Sequence, residues 1–439
     1  MRAKFSISTL LGMGATVALA LSGTFGVGTA LAAQCEGANI HGEGSSLQKV
    51  AQQIWDDENP LTGKGFNKST ATSACSGTQG SGGKPIVTYN PSGSAAGLEA
   101  WGVNASGKSP KEKVDQFIGT DDAPNATQMG EIDTAAKGAG GKGQALVIPV
   151  AQAAIAMLVH YPATCKLTEN HITNSDLQKV WANEITQWSE ISTHEGSNCA
   201  IAITRVVRQD GSGTSYQFKH YLFEINSTKR KESEAGKGER TWHELQPETL
   251  PNREWPNQAA NWKRSTNSGG GGEVKEVEAV EGSIGYANLG DARAGFAGGV
   301  RWLAVENQTE ATPAYVYPGT TTGEPSATAA NANCKGTFYT GAEELKNKGA
   351  GADDDWSEVY GEHVKGNANY PICTLTWDVG VANYETAGLT KAEGQTARDY
   401  LNYVVAETGG QKDFKNHDYR EVEEAVGLYA QEEANLITP

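Results

Sequence analysis

Ala200-Ile201-Ala202-Ile203-Thr204-Arg205-Val206-Val207-Arg208-Gln209-Asp210-Gly211-Ser212-Gly213-Thr214-Ser215 decides how this chain is read. An apolar, β-branched run delivers an arginine and an aspartate into a Gly-Ser-Gly turn. Tyr216-Gln217-Phe218-Lys219-His220-Tyr221-Leu222 then continues in a helical pattern. Gly211 and Gly213 leave backbone N–H groups open to a ligand. Ser212 and Thr214 stand at the helix start, where unpaired donors and the dipole favour an anion. Arg208 adds a planar fork of donors suited to a tetrahedral oxyanion. The segment reads as an anion cradle, although alone it also fits a plain capped turn with Arg208 on the surface. No Gly-Lys-Ser/Thr closes it and no Gly-x-Gly-x-x-Gly is present, so it is neither a Walker loop nor a dinucleotide fingerprint.

Three further turns keep it company. Gly42-Glu43-Gly44-Ser45-Ser46-Leu47-Gln48 lies between Ala38-Asn39-Ile40 and an amphipathic stretch with apolar residues at 47, 50, 51, 54 and 55, so Ser45 or Ser46 is the expected helix cap. Pro85-Ile86-Val87-Thr88-Tyr89 reads as a strand, and Asn90-Pro91-Ser92-Gly93-Ser94-Ala95-Ala96-Gly97 turns it into a helix. Phe117-Ile118-Gly119-Thr120-Asp121-Asp122-Ala123-Pro124 ends a strand with two carboxylates. All four pieces fall at the carboxyl ends of strands, where open α/β sheets bind ligands.

This order of motifs resembles the phosphate-binding proteins of high-affinity phosphate ABC transporters. Ile148-Pro149-Val150, Ser175-Asp176-Leu177-Gln178-Lys179-Val180-Trp181, Ile185-Thr186-Gln187-Trp188, Gly282-Ser283-Ile284-Gly285-Tyr286 and Tyr370-Pro371-Ile372-Cys373 extend the likeness over most of the chain. The resemblance implies an α/β, two-lobed periplasmic-binding-protein fold, each lobe a doubly wound sheet, joined by two crossing hinge strands. It implies phosphate donors at Ser46, Leu47, Ser94, Arg208, Ser212, Gly213 and Thr214. It also implies that Asp122 accepts the ligand's proton and that Asp210 orients Arg208. Two departures stand out: Leu47 and Gln48 replace the family's phenylalanine and proline, and the Pro-Ser-Gly-Ser turn makes Ser92 an alternative to Ser94. Asp121, one residue before Asp122 in an extended segment, is expected to point away.

The chain has 439 residues, enough for two domains with cores of their own. Arg2 and Lys4 precede an apolar run from Leu10 to Leu21, and Ala30-Leu31-Ala32 supplies small residues for cleavage, so residues 1–33 read as a secretory signal. No later run is long and apolar enough to span a membrane. Export favours disulfides among the six cysteines, and the expected pairs are Cys35–Cys75, Cys165–Cys199 and Cys334–Cys373, neighbours by lobe. Gln34 rather than a small residue precedes Cys35, which argues against lipid anchoring there. The net charge of −16 disfavours nucleic acid. It does not exclude an anion, because short-range donors govern binding at the site.

The expected organisation is lobe I over 34–147, lobe II over 148–292, and a return to lobe I over 293–439. The crossings are expected at Leu146–Val150 and after Ile284-Gly285-Tyr286. Asp56–Lys84, Asn226–Lys275 (ending in Gly269–Gly272) and Val305–Tyr370 read as inserted surface segments, and Asp353-Asp354-Asp355 as a solvated acidic turn. No nucleophile elbow or ligand-spaced histidine pair is present. The chain is therefore expected to be an exported, monomeric solute-binding protein, not an enzyme, with no cofactor and no metal. Its expected partners are inorganic phosphate and an ABC transporter permease. The alternatives are a binder of another oxyanion (sulfate, molybdate, arsenate), or an exported phosphatase, adhesin or signalling protein on this scaffold.

Overall fold

The computed structural model describes residues 37–56, 65–67, 85–103, 115–136, 144–162, 165, 170–194, 199–225, 253–255, 262–307, 314–321, 323–334, 345, 349–352, 354–359, 369–413 and 415–439. The first strands and helices alternate: β1 (Ile40–Gly44), α1 (Lys49–Asp56), β2 (Val87–Asn90), α2 (Ser94–Ala100), β3 (Phe117–Thr120) and α3 (Ala126–Ala136). A long strand, β4 (Ala145–His160), leads to β5 (His171–Ile172), α4 (Asn174–Trp181), β6 (Thr204–Val207) and α5 (Gly213–Glu224). Next come β7 (Lys263–Arg264), α6 (Gly270–Ala279), β8 (Ser283–Asn288) and α7 (Leu289–Ala294). The short strands β9 (Arg301–Trp302), β10 (Ala304–Asn307) and β11 (Ala314–Val316) precede β12 (Cys373–Val381). The chain ends with α8 (Lys391–Val405), α9 (Gly410–Asp413), β13 (Tyr419–Arg420) and α10 (Glu424–Asn435).

The strands follow one path, β2-β1-β3-β12-β4-β8-β6-β7, with β9 and β13 also on β4, and β11-β10-β5 forms a separate small sheet. This is the two-lobed α/β architecture, and β4 is shared by both lobes. Ala145 to Ala154 pair with β12 in the first lobe, and Ile155 to His160 pair with β8 in the second. Its sequence is apolar almost throughout, which suits a strand covered on both faces. Beyond the crossing its side chains alternate between two cores. Ile155, Met157 and Val159 join one, and Ala156 and Leu158 the other. Pro149 has no N–H to give β12, and the ladder slips there, with Val150 as the extra residue between the Thr376 and Trp377 pairings.

The crossings lie later than the sequence suggests. Leu146 to Val150 sit wholly within the first sheet, and β4 changes lobes at Ala154–Ile155. After β8 the chain stays in the second lobe. Leu289, Ala292, Val300 and Trp302 fill its smaller core cluster, and Val305, Val316, Ala332 and Cys334 its main one. The return comes where the Ile155 N–H donates to Ile372 O at 2.9 Å and the Tyr370 hydroxyl to Ile155 O at 2.9 Å. Both passages therefore meet at one residue.

Segments that read as insertions also contribute core, for Trp255 and Trp262 are buried with Trp181 and Tyr286. Isolated aromatic anchors spaced by polar residues leave no periodic signal, so the sequence pattern could not reveal them. The disulfides Cys165–Cys199 and Cys334–Cys373 form as expected, with Cα separations of 4.8 and 5.7 Å. Cys35 and Cys75 lie outside the described residues, as does Asp353, while Asp354 accepts the Tyr429 hydroxyl.

Candidate functional site

The first lobe presents three turns to the second. Gly44 ends β1 at φ 134°, and a Cβ there would lie 2.1 Å from Gly119 O, so only glycine lets these strand ends close together. Ser45 caps the turn that leads into α1, since its Oγ accepts Leu47 N–H at 3.1 Å and Gln48 N–H at 3.4 Å. That settles the choice between the two serines and leaves Ser46 to face the cleft. The Leu47 N–H, expected as a ligand donor, is taken by this cap, and its carbonyl accepts the Tyr419 hydroxyl at 2.5 Å. At the second turn Ser94 is fully buried and accepts Asp121 N–H at 3.3 Å, whereas the Ser92 hydroxyl has no hydrogen-bond partner among the described residues.

The second lobe answers with the cradle. Arg208 is 1% exposed. Its Nε donates to Asp210 Oδ1 at 2.8 Å and its Nη2 to Asp210 Oδ2, which fixes the fork's plane. Nη2 also reaches across the cleft to Ser46 Oγ at 3.1 Å. Burial works against the charge of Arg208, but the hydrogen bonds and charge of Asp210 outweigh it and hold the arginine above its ordinary pKa. Ser212 caps α5, accepting Ser215 N–H at 3.2 Å. Gly213 packs where a Cβ would meet Asp122 Oδ1 and Ser94 Oγ, each at 2.7 Å, so cradle and first-lobe turns are in direct apposition.

The two adjacent aspartates divide the cleft between them. Asp121 does not point away as expected. It is 1% exposed and accepts Ser45 Oγ–H, Thr376 Oγ1–H at 2.9 Å and, from the opposite lobe, Thr214 Oγ1–H at 3.1 Å. The reason is that β3 ends at Thr120, so the pair occupies a bend in which strand alternation no longer applies. Asp122 is 3% exposed, and its Oδ2 lies 2.5 Å from Arg253 Nε. Burial raises both carboxyls, Asp122 to about 6, with Arg253 opposing the rise.

Three contributors escaped the sequence reading. Arg253 sits in a polar stretch with no motif around it. Glu273 is buried near Arg208, accepts Tyr286 N–H at 3.0 Å, and is driven well up in pKa by burial, with Arg208 opposing. The Gly269–Gly272 run, read as the end of a loop, is the start of α6. Its Gly269 N–H donates to Asp210 Oδ1 at 3.1 Å and its Gly270 N–H to Ser46 Oγ at 3.2 Å. A Cβ on Gly270 would lie 2.3 Å from Asp291 Oδ2, so the glycine signalled close packing rather than looseness. Four helix starts thus converge on one cleft, an arrangement suited to holding an anion with little bulk water.

No described helix is long and apolar enough to cross a membrane. No curated protein sequence matches the chain. Solved structures share its fold at 16% identity. One is a high affinity periplasmic phosphate-binding protein (PfluDING) bound with phosphate, with TM-score 0.55, covering 89% of this chain and 92% of that one. Another is a phosphate binding protein from Stenotrophomonas maltophilia, with TM-score 0.54, covering 90% and 93%. A human phosphate binding apolipoprotein has TM-score 0.57, covering 89% and 92%. A model of the PBP superfamily domain matches residues 62–408, a span that includes the cradle and both passages between the lobes. This chain belongs to the PBP superfamily.

Proposed function

We propose that the protein captures inorganic phosphate between its lobes and, after export, hands it to an ABC transporter permease. The observation that carries this reading is the Arg208 fork, locked by Asp210 and turned toward Ser46 of the opposite lobe. Around it stand the Ser94 and Thr214 hydroxyls, the Gly213 backbone and the Asp122 carboxylate. Phosphate near neutral pH keeps at least one proton, and Asp122 is a buried acceptor for it. Charge-assisted bonds contribute roughly 1.5–3 kcal/mol each, so a handful reach about −8 kcal/mol, near 1 μM, after desolvation is offset. Closure about the passages at Ile155 would bring the two halves of the site together. The role is binding rather than catalysis, since the groups in the cleft are donors and paired carboxylates.

Isothermal titration of the mature chain with phosphate and with sulfate tests the reading. Saturable phosphate binding with at most weak sulfate binding is expected, and no binding of phosphate at millimolar concentration would overturn it. A phosphomonoesterase assay on the same sample separates a binder from an enzyme.

A further inference from the structure

Arg253 is fixed in place by its neighbours. Two residues on, Trp255 is buried against Trp181 and Trp262, and its indole N–H donates to the Tyr286 hydroxyl at 2.6 Å. The intervening backbone lies on the start of α5, where Arg253 O accepts Ser212 N–H at 3.0 Å and Glu254 O accepts Lys219 Nζ at 2.6 Å. This anchoring holds the Arg253 side chain against Asp122 of the other lobe, at 2.5 Å. Arg253 takes Oδ2 of the carboxylate, while Oδ1 faces the Gly213 and Ser94 side of the cleft. The pair borders a cavity of about 380 Å³, lined by Glu99, Asn125, Tyr216 and Glu254 as well as by Asp122 and Arg253.

We infer that Arg253 is a specificity-positioning residue: by engaging one oxygen of Asp122 it keeps that carboxylate charged and its other oxygen aimed inward. Asp122 then acts as an obligate acceptor that admits a protonated oxyanion and rejects one without a proton. The inference rests on the phosphate reading for its choice of ligand, but its chemistry concerns the Arg253–Asp122 pair itself. Apart from the Thr120 hydroxyl, which lies 3.3 Å from Oδ1 and favours the charged form, the surroundings disfavour the charge. Asp122 is enclosed, and Asp121 adjoins it on its own turn. Glu99 lines the cavity from α2 and Glu254 from the chain beside Arg253. Burial lowers Lys219 of α5 to about 7, with the charges of Glu254 and Asp122 opposing, so it is an incomplete counter-charge near neutrality. Without Arg253 the carboxyl would hold its proton to higher pH and become a donor to any oxyanion oxygen.

The test is Arg253→Ala beside Arg253→Lys, with phosphate and sulfate titrations at pH 5.5, 7 and 8.5, and carboxyl carbon NMR of Asp122 in the ligand-free protein. The alanine variant is expected to lose about tenfold or more of the phosphate-over-sulfate preference at pH 7. It should regain part of that preference at pH 8.5, and its Asp122 titration should move upward. The lysine variant should restore most of both, because a point charge suffices to hold the carboxylate ionised. If alanine weakens phosphate and sulfate equally, Arg253 is merely a ligand contact and the inference fails. An unmoved Asp122 titration would sink it as well. Failure of the wild-type protein to bind phosphate, with the Asp122 titration still shifted by the substitution, would remove the proposed ligand and leave the Arg253–Asp122 coupling standing.

Discussion

Arg208 Nη2 and Ser46 Oγ meet at 3.1 Å although 162 positions separate them in the chain. One belongs to the end of a second-lobe strand, the other to the first turn of the first lobe. Ser46 also accepts the Gly270 N–H, so a single hydroxyl joins three elements across the cleft. The two lobes are thus hydrogen-bonded to each other at the turns proposed to hold the anion.

Arg208→Ala should weaken phosphate binding by about tenfold or more, and Arg208→Lys should recover only part of it, since an ammonium cannot reproduce the planar fork. A surface arginine would be lost at no cost in stability. This one is buried and paired with Asp210, so its removal strands a largely buried carboxylate and should destabilise the protein by about 3 kcal/mol or more. Titration calorimetry and denaturant unfolding of the ligand-free variant read the two effects. Unchanged stability would mean that Asp210 finds another partner.

Asp121 and Asp122 should separate by phenotype. Asp122→Asn, whose amide can donate, is expected to narrow the phosphate-to-sulfate ratio by about tenfold. Asp121→Asn removes one of the acceptors now shared by Ser45, Thr376 and Thr214. It should lower both affinities in step by loosening closure. A change of ratio in the Asp121 variant alone would reverse these roles.

Asp378, enclosed in the first lobe, is pushed up to about 8 by burial, with Gln52 and Gln48 only partly opposing the shift. Its folded pKa exceeds the ordinary 3.8, so between pH ~4 and ~8 the folded state keeps a proton that the unfolded chain has released. The stabilisation from this group is complete at the acid end and lost as pH climbs through 8. Asp378→Asn should therefore melt above wild type near pH 8.5 and close to it near pH 4.5. Parallel melting curves for the two proteins across that range would assign the pH dependence elsewhere.

The Cys334–Cys373 bridge ties the second-lobe core to the first residue of β12 and closes a loop with a sequence separation of 39. Its removal by Cys334→Ser with Cys373→Ser is expected to cost about 2–5 kcal/mol. Non-reducing peptide mapping of the wild type should recover this pair and Cys165–Cys199. A free thiol at any of the four would contradict the arrangement.

The residues close to the turns could be read from the chain alone. Each strand-to-helix junction was legible from apolar periodicity running into glycine and serine, because backbone freedom and helix-start donors are local properties of a few consecutive residues. That legibility extended to the grouping of Arg208, Asp210, Ser212, Gly213, Thr214 and Asp122 on turns that meet at one cleft, and to the α/β class of the chain. Contact between distant segments was fixed by packing alone. Arg253 carries no local signal, yet the burial of Trp255 sets it on Asp122. Asp121 follows a strand whose alternation stops one residue too early to predict its side. The passages between lobes came later than the motifs suggested, because β4 stays apolar and buried through Val159 and nothing in so uniform a run marks where one sheet ends and the next begins. Local chemistry is written residue by residue; the choice of partner belongs to the packing that brings remote residues within reach.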